Sequence, residues 1–100
     1  MGAKRRTDRA LADELPALLE DRGMSLRDLA GRLSISHSHL SRSLRGAQGK
    51  TIRWQLAGDI AVALRLPRGY FPEYRAGRVA EYLMQHPKAA TALFDELKLK

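Results

Sequence analysis

The stretch Ser25-Leu26-Arg27-Asp28-Leu29-Ala30-Gly31-Arg32-Leu33-Ser34-Ile35-Ser36-His37-Ser38-His39-Leu40-Ser41-Arg42-Ser43-Leu44-Arg45-Gly46 decides how this chain folds. Ser25 is a good helix N-cap, and Asp28 stands three residues on, where a capping box needs its second acceptor. Leu26, Leu29, Ala30 and Leu33 then recur at helical spacing. Ser34-Ile35 leaves room only for a tight turn. Ser36 caps a further short helix carrying Leu40 and Leu44 four residues apart, and Gly46 is the glycine expected to end it. The reading is two short helices joined by a turn of about three residues.

The flanks supply the rest of a helical frame. Leu11, Leu15, Leu18 and Leu19 make one amphipathic stripe, closed by Gly23. Pro16 interrupts that stripe; its ring would clash with the carbonyl of Ala12, so a kink or a restart of the helix is expected there. Gly46-Ala47-Gln48-Gly49 reads as a loop. Thr51 is expected to begin a fourth helix, with Ile52, Leu56, Ile60, Ala63 and Leu64 on one face and Pro67 and Gly69 stopping it. Tyr70-Phe71-Pro72 reads as an aromatic plug. A last helical stretch carries Val79, Tyr82 and Leu83 and, beyond His86-Pro87, Leu93, Phe94 and Leu97. The expectation is all-α: five to six short helices, divided into a flexible basic arm (1–8), a helical domain (9–72) and a C-terminal helical extension (73–100).

Composition narrows the function. Eighteen Lys and Arg face eleven Asp and Glu among 100 residues, a formal charge of +7 that attracts polyanions. Arg strongly outnumbers Lys, and its planar fork suits phosphates and guanine edges. No apolar run approaches the ~20 residues that span a bilayer, so no membrane role is expected. Cysteine is absent, which excludes disulfides and thiolate metal sites and suits a reducing cytoplasm. Ser and His occur together at 36–41 without a nucleophile elbow, a glycine phosphate loop or a paired-carboxylate site, so no enzyme and no cofactor are expected. His37 and His39 do not share a helical face, and no metal is expected there.

The second short helix has the chemistry of a DNA reader. At 100° per residue, His37, Ser38, Ser41, Arg42 and Arg45 fall within an arc of about 140°. Leu40 and Ser43 lie off that arc, towards the first helix, and Leu44 sits at its border. The outward arc carries charge donors and hydroxyls and no carboxylate.

The run Ser25–Gly46, with the later run Leu56–Phe71, resembles the Cro/repressor-like (Xre) helix-turn-helix family over roughly residues 11–72. Ala30 matches the close helix contact, Ile35 the turn, Leu40 the buried site and Gly46 the end of the recognition helix. The resemblance implies a lambda-repressor-like bundle that binds double-stranded DNA as a transcriptional regulator, a repressor, at a palindromic operator as a homodimer. Half-sites would lie about 10–10.5 base pairs apart. It also implies base contacts from His37, Ser38, Ser41 and Arg42, and backbone contacts from Ser25, Arg27, Arg45, Lys50 and Arg53. An arm of Lys4, Arg5 and Arg6 would follow the backbone or enter a minor groove. Two positions depart from the pattern. Ser34 stands where the family has Gly, so a positive φ there would cost about 1 kcal/mol. Ser43 replaces an apolar residue, leaving Leu44 to take over its packing.

Plainer roles compete at several positions. His37 can meet a phosphate or water instead of a base, His39 points away from the arc, and Trp54 reads as packing rather than a stacking platform. Val79, Tyr82, Leu83, Leu93, Phe94 and Leu97 offer more apolar surface than the bundle needs and are the candidate dimer interface; the alternative is that they fold back on the core. Two rival functions keep the fold: an antitoxin or adaptor whose C-terminal segment binds a protein partner, and a restriction–modification controller.

Overall fold

The capping box at Ser25 forms as its spacing demands. Ser25 Oγ accepts from the Asp28 amide at 3.0 Å, and Asp28 Oδ2 accepts from the Ser25 amide at 3.0 Å. The computed structural model describes residues 6–46 and 53–99, so Lys4, Arg5, Lys50, Thr51 and Ile52 lie outside the described residues. Among these residues six helices follow one another: α1 (Leu11–Asp21), α2 (Leu26–Leu33), α3 (His37–Gly46), α4 (Trp54–Ala63), α5 (Pro72–Gln85) and α6 (Pro87–Leu97). No strand occurs among the described residues.

Two expected boundaries move. Pro16 does not restart a helix: α1 runs unbroken through it, with Pro16 on the exposed side and Leu11, Leu15 and Leu19 buried. Burial of the leucines on either side holds the segment together despite the backbone bond that proline cannot make. α4 starts at Trp54, not Thr51, with Arg53 as its N-cap residue. Its buried face is also broader than one stripe, adding Ala57, Gly58 and Ala61 to Ile60. Helix α4 is central: packed by α2 and α5 together, it is apolar on much of its circumference.

The core gathers Leu11, Leu15 and Leu19 with Leu29, Ala30, Leu40, Ala57, Ile60, Ala61 and Leu64, closed by Tyr70 and Phe71. Each fully buried Leu, Ile or Phe contributes about 1.5–3 kcal/mol. The aromatic plug forms as expected, Tyr70 and Phe71 meeting edge to face at 5.1 Å. Burial, together with donation of its hydroxyl to Glu14 at 3.1 Å, pushes the Tyr70 phenol above its ordinary pKa.

Helix α5 is locked to α4 by reciprocal aromatic–glycine contacts. The Trp54 ring lies where a Cβ on Gly77 would be, and the Tyr74 ring lies where a Cβ on Gly58 would be. The two rings meet edge to face at 5.5 Å, so Trp54 serves packing. The first turn of α5 also fastens the chain entering α1. Glu73 accepts from the Leu11 amide at 3.0 and 3.3 Å, supplying the cap that Ala10 cannot. Arg75 donates to Thr7 O at 2.7 Å and to Gly69 O and Tyr70 O at 2.8 Å each. Thr7, within the expected arm, is buried, and its amide donates to Tyr70 O. The expected division at residue 72 falls at the first residue of α5, whose first half packs against the core without being buried in it.

Four helices end in the same hydrogen-bonded, left-handed turn. After α1, α2, α4 and α6 the positive-φ residue is Gly23, Ser34, Arg65 and Lys98 respectively. At the second of these, Ser34 N donates to Gly31 O and Ile35 N to Ala30 O, the two bonds of a Schellman motif. Only Gly23 escapes the Cβ clash of that conformation. Replacing Ser34 by Gly is expected to stabilise the fold by about 1 kcal/mol, raising Tm by roughly 4–8 °C in thermal denaturation. An unchanged or lower Tm would contradict the strain at φ 58°.

Candidate nucleic-acid interface

Ser36 starts α3, its hydroxyl accepting from the His39 amide at 3.0 Å. Four residues on, Leu40 is wholly buried. With that side chain fixed inward, helical geometry turns the opposite arc out. His37, Ser38, Arg42 and Arg45 are exposed and Ser41 is half-buried. Leu44 packs against the core while Ser43 stays half-buried beside it, as expected from their exchanged roles. His39 is exposed on the far side of the arc.

The charges of this surface are uncompensated. Among the described residues, Arg27, Arg42, Arg45 and Arg53 enter no ion pair; the pairs that do form involve Arg9, Arg22, Arg68, Arg75 and Arg78. Helix α3 itself contains no Asp or Glu. Asp28, the nearest acidic residue in sequence, is engaged by the capping box. The Ser25 amide, followed by the Ser25 hydroxyl and the Arg32 charge, holds the Asp28 carboxyl below the ordinary aspartate pKa. Such a surface accepts phosphates without first breaking internal pairs.

This is the two-helix arrangement of a helix-turn-helix: capped α2, left-handed turn at Ser34, capped α3 with its apolar residues inward. The model for the family described as Helix-turn-helix domain matches residues 10–70. The chain belongs to the helix-turn-helix domain family. That membership is consistent with the Xre-like resemblance and makes this a helix-turn-helix protein of the DNA-binding, regulatory class, one whose members are typically not enzymes. No curated protein and no solved structure matches the chain significantly. Among the described residues no helix is long and apolar enough to cross a membrane, and no cluster of three metal-ligating side chains occurs.

The remaining candidates sit on other elements of the helix-turn-helix frame. Ser25 and Arg27 open α2, both exposed, and exposed Arg53 precedes α4. Arg6 is exposed; Lys4, Arg5 and Lys50 lie outside the described residues. Val79, Tyr82, Phe94 and Leu97 are exposed on α5 and α6, whereas Leu83 and Leu93 on the same helices are half-buried. Tyr82 is partly occupied: its ring stacks on His86 at 3.9 Å, and its carbonyl lies 2.8 Å from His86 Nδ1. Met84 and Leu99 are exposed apolar residues that the sequence pattern did not single out. Sequence reasoning also passed over the clamp of Glu73 and Arg75, because Leu11 and Thr7, which it holds, lie more than 60 positions away.

The Asp28 interaction has a pH signature. Its folded pKa is depressed, so its contribution is fully present above the unfolded aspartate value near 3.9 and is lost as pH falls through the lower folded value. Wild type is expected to be more stable than Asp28→Asn at neutral pH, the two converging in acid. A gap that stays constant down to pH 2 would remove the charge from the capping role.

Proposed function

We propose that this protein is a sequence-specific transcriptional regulator, a repressor, that lays α3 in the major groove of a palindromic operator. The observation that carries the proposal is the outward face of α3: polar and basic, free of carboxylates, with arginines that no acid among the described residues neutralises. In this reading His37, Ser38, Ser41 and Arg42 meet base edges, Arg42 gripping guanine O6 and N7 with its fork. Ser25, Arg27, Arg45, Lys50 and Arg53 hold backbone phosphates, and the arm Lys4, Arg5 and Arg6 adds sequence-independent attraction.

The same proposal takes a homodimer as the binding unit. Residues 1–71 hold thirteen of the Lys and Arg and seven of the Asp and Glu; residues 72–100 hold five and four. The basic charge is thus concentrated in the DNA-facing part, and α5–α6 is the nearly neutral segment where two copies of a +7 chain can meet. Its exposed Val79, Tyr82, Phe94 and Leu97, with half-buried Leu83 and Leu93, supply the apolar surface.

Binding to duplex DNA is expected to weaken steeply with salt, by about 0.9 in log K per log salt for each phosphate neutralised. A flat salt response in gel shifts would sink DNA binding. Arg42→Ala is expected to relax preference at one base pair by roughly 1–3 kcal/mol in a selection from random duplexes. Equal weakening on every sequence would make Arg42 a phosphate contact instead.

For the assembly, Phe94→Glu is expected to give monomers in sedimentation and to lower operator affinity on the order of 100-fold, the loss of one linked half-site. A wild type that is already monomeric, alone and on operator DNA, would favour the adaptor reading, in which α5–α6 takes a different protein.

A further inference from the structure

At the C-terminal end of α4, three arginines from three elements converge. Arg22, which follows α1, donates Nε–H to Leu64 O at 3.2 Å. Arg32, in the last turn of α2, donates Nη1–H to the preceding carbonyl, Ala63 O, at 3.3 Å. Two guanidinium groups are thereby held on consecutive carbonyls. Arg65 comes next in the chain, and all three line one cleft of about 190 Å³ together with Met24. We propose that this cleft is a second, oxyanion-binding site, separate from the face of α3, that takes a phosphate group.

Helix capping alone does not account for the cluster. A helix C-terminus carries about half a negative charge, which a single cation offsets. The backbone takes the carbonyls of Ile60, Ala61 and Val62, and Arg32 and Arg22 take those of Ala63 and Leu64, which leaves Arg65 without a capping role. Three positive charges exceed that need, and the acids do not cancel them. Among the described residues Arg32 and Arg65 form no ion pair. The one pair Arg22 makes, with exposed Asp21, is long at 3.8 Å. Asp28, close enough for the Arg32 charge to lower its pKa, is committed to Ser25.

The donors that remain suit a tetrahedral oxyanion. A guanidinium has five N–H groups, and the carbonyl bonds use one on Arg22 and one on Arg32. Those bonds fix the groups in advance, so less side-chain freedom is lost when an anion arrives. Arg65 sits at φ 62°, where Gly would be less strained, as Gly23 is at the matching turn after α1. A neighbouring cleft of about 500 Å³ shares Arg22 and Arg32 and is lined also by Arg27, Gly31 and the capping-box residue Asp28.

A phosphate reaches such a cleft from two sources: the backbone of the bound duplex, or a free phosphorylated small molecule. Full-length wild type, Arg65→Gly and Arg32→Gln separate them. Relief of the left-handed strain is expected to raise the Tm of Arg65→Gly by roughly 4–8 °C, so lost binding in that variant is not lost folding. For a free ligand, millimolar inorganic pyrophosphate raises the Tm of wild type above a chloride control of equal ionic strength, and both variants lose that rise. For the duplex backbone, pyrophosphate has no such effect, and each variant lowers the salt slope of DNA binding by about 0.9 with sequence preference unchanged. Variants that match wild type in both assays overturn the site. A wild type that fails to bind DNA refutes the operator reading alone, since the pyrophosphate measurement needs no duplex.

Discussion

Burial of Leu40 sets the direction in which α3 faces, and the rest of the molecule is arranged to keep it buried. The residue is fully enclosed by the core that α1, α2 and α4 build. Once it points inward, the helical period leaves His37, Ser38, Arg42 and Arg45 no choice but the surface. The Schellman turn at Ser34 and the Ser36 cap set where α3 begins, so the anchor and the polar arc keep their register.

That register is kept at some cost in backbone energy. Ser34 and Arg65 both take a conformation that glycine adopts without strain, and each lies beside a cluster of exposed arginines. Ser34 precedes the helix that presents the polar, basic arc, and Arg65 completes the arginine cluster at the end of α4. The pattern fits a chain that keeps side-chain chemistry at positions where stability alone would favour glycine.

Helix α5 joins the two halves of the protein. Its first turns are fastened against the core: Glu73 caps α1, Arg75 ties residues 7, 69 and 70 together, and Gly77 receives Trp54. Its later turns leave that core and pair with α6, leaving Val79, Tyr82 and Met84 in contact with solvent. A surface fixed through one continuous helix to the core carries its orientation into any assembly built on it.

The sequence by itself determined most of the helix-turn-helix unit, because the forces there are local. The Ser25–Asp28 box, the Ser36 cap, the strained turn at Ser34, the inward Leu40 and the supporting Leu44 all depend on residues within a few positions of each other. The helix count and the aromatic plug followed from apolar periodicity and from proline and glycine punctuation. Tertiary structure decided what depends on distant partners. It carried α1 through Pro16, started α4 at Trp54, docked Thr7 beneath Arg75 and seated two aromatic rings on two glycines. It also brought Arg22, Arg32 and Arg65 together on the end of α4, because convergence of charges from three separate elements leaves no period in the sequence to read.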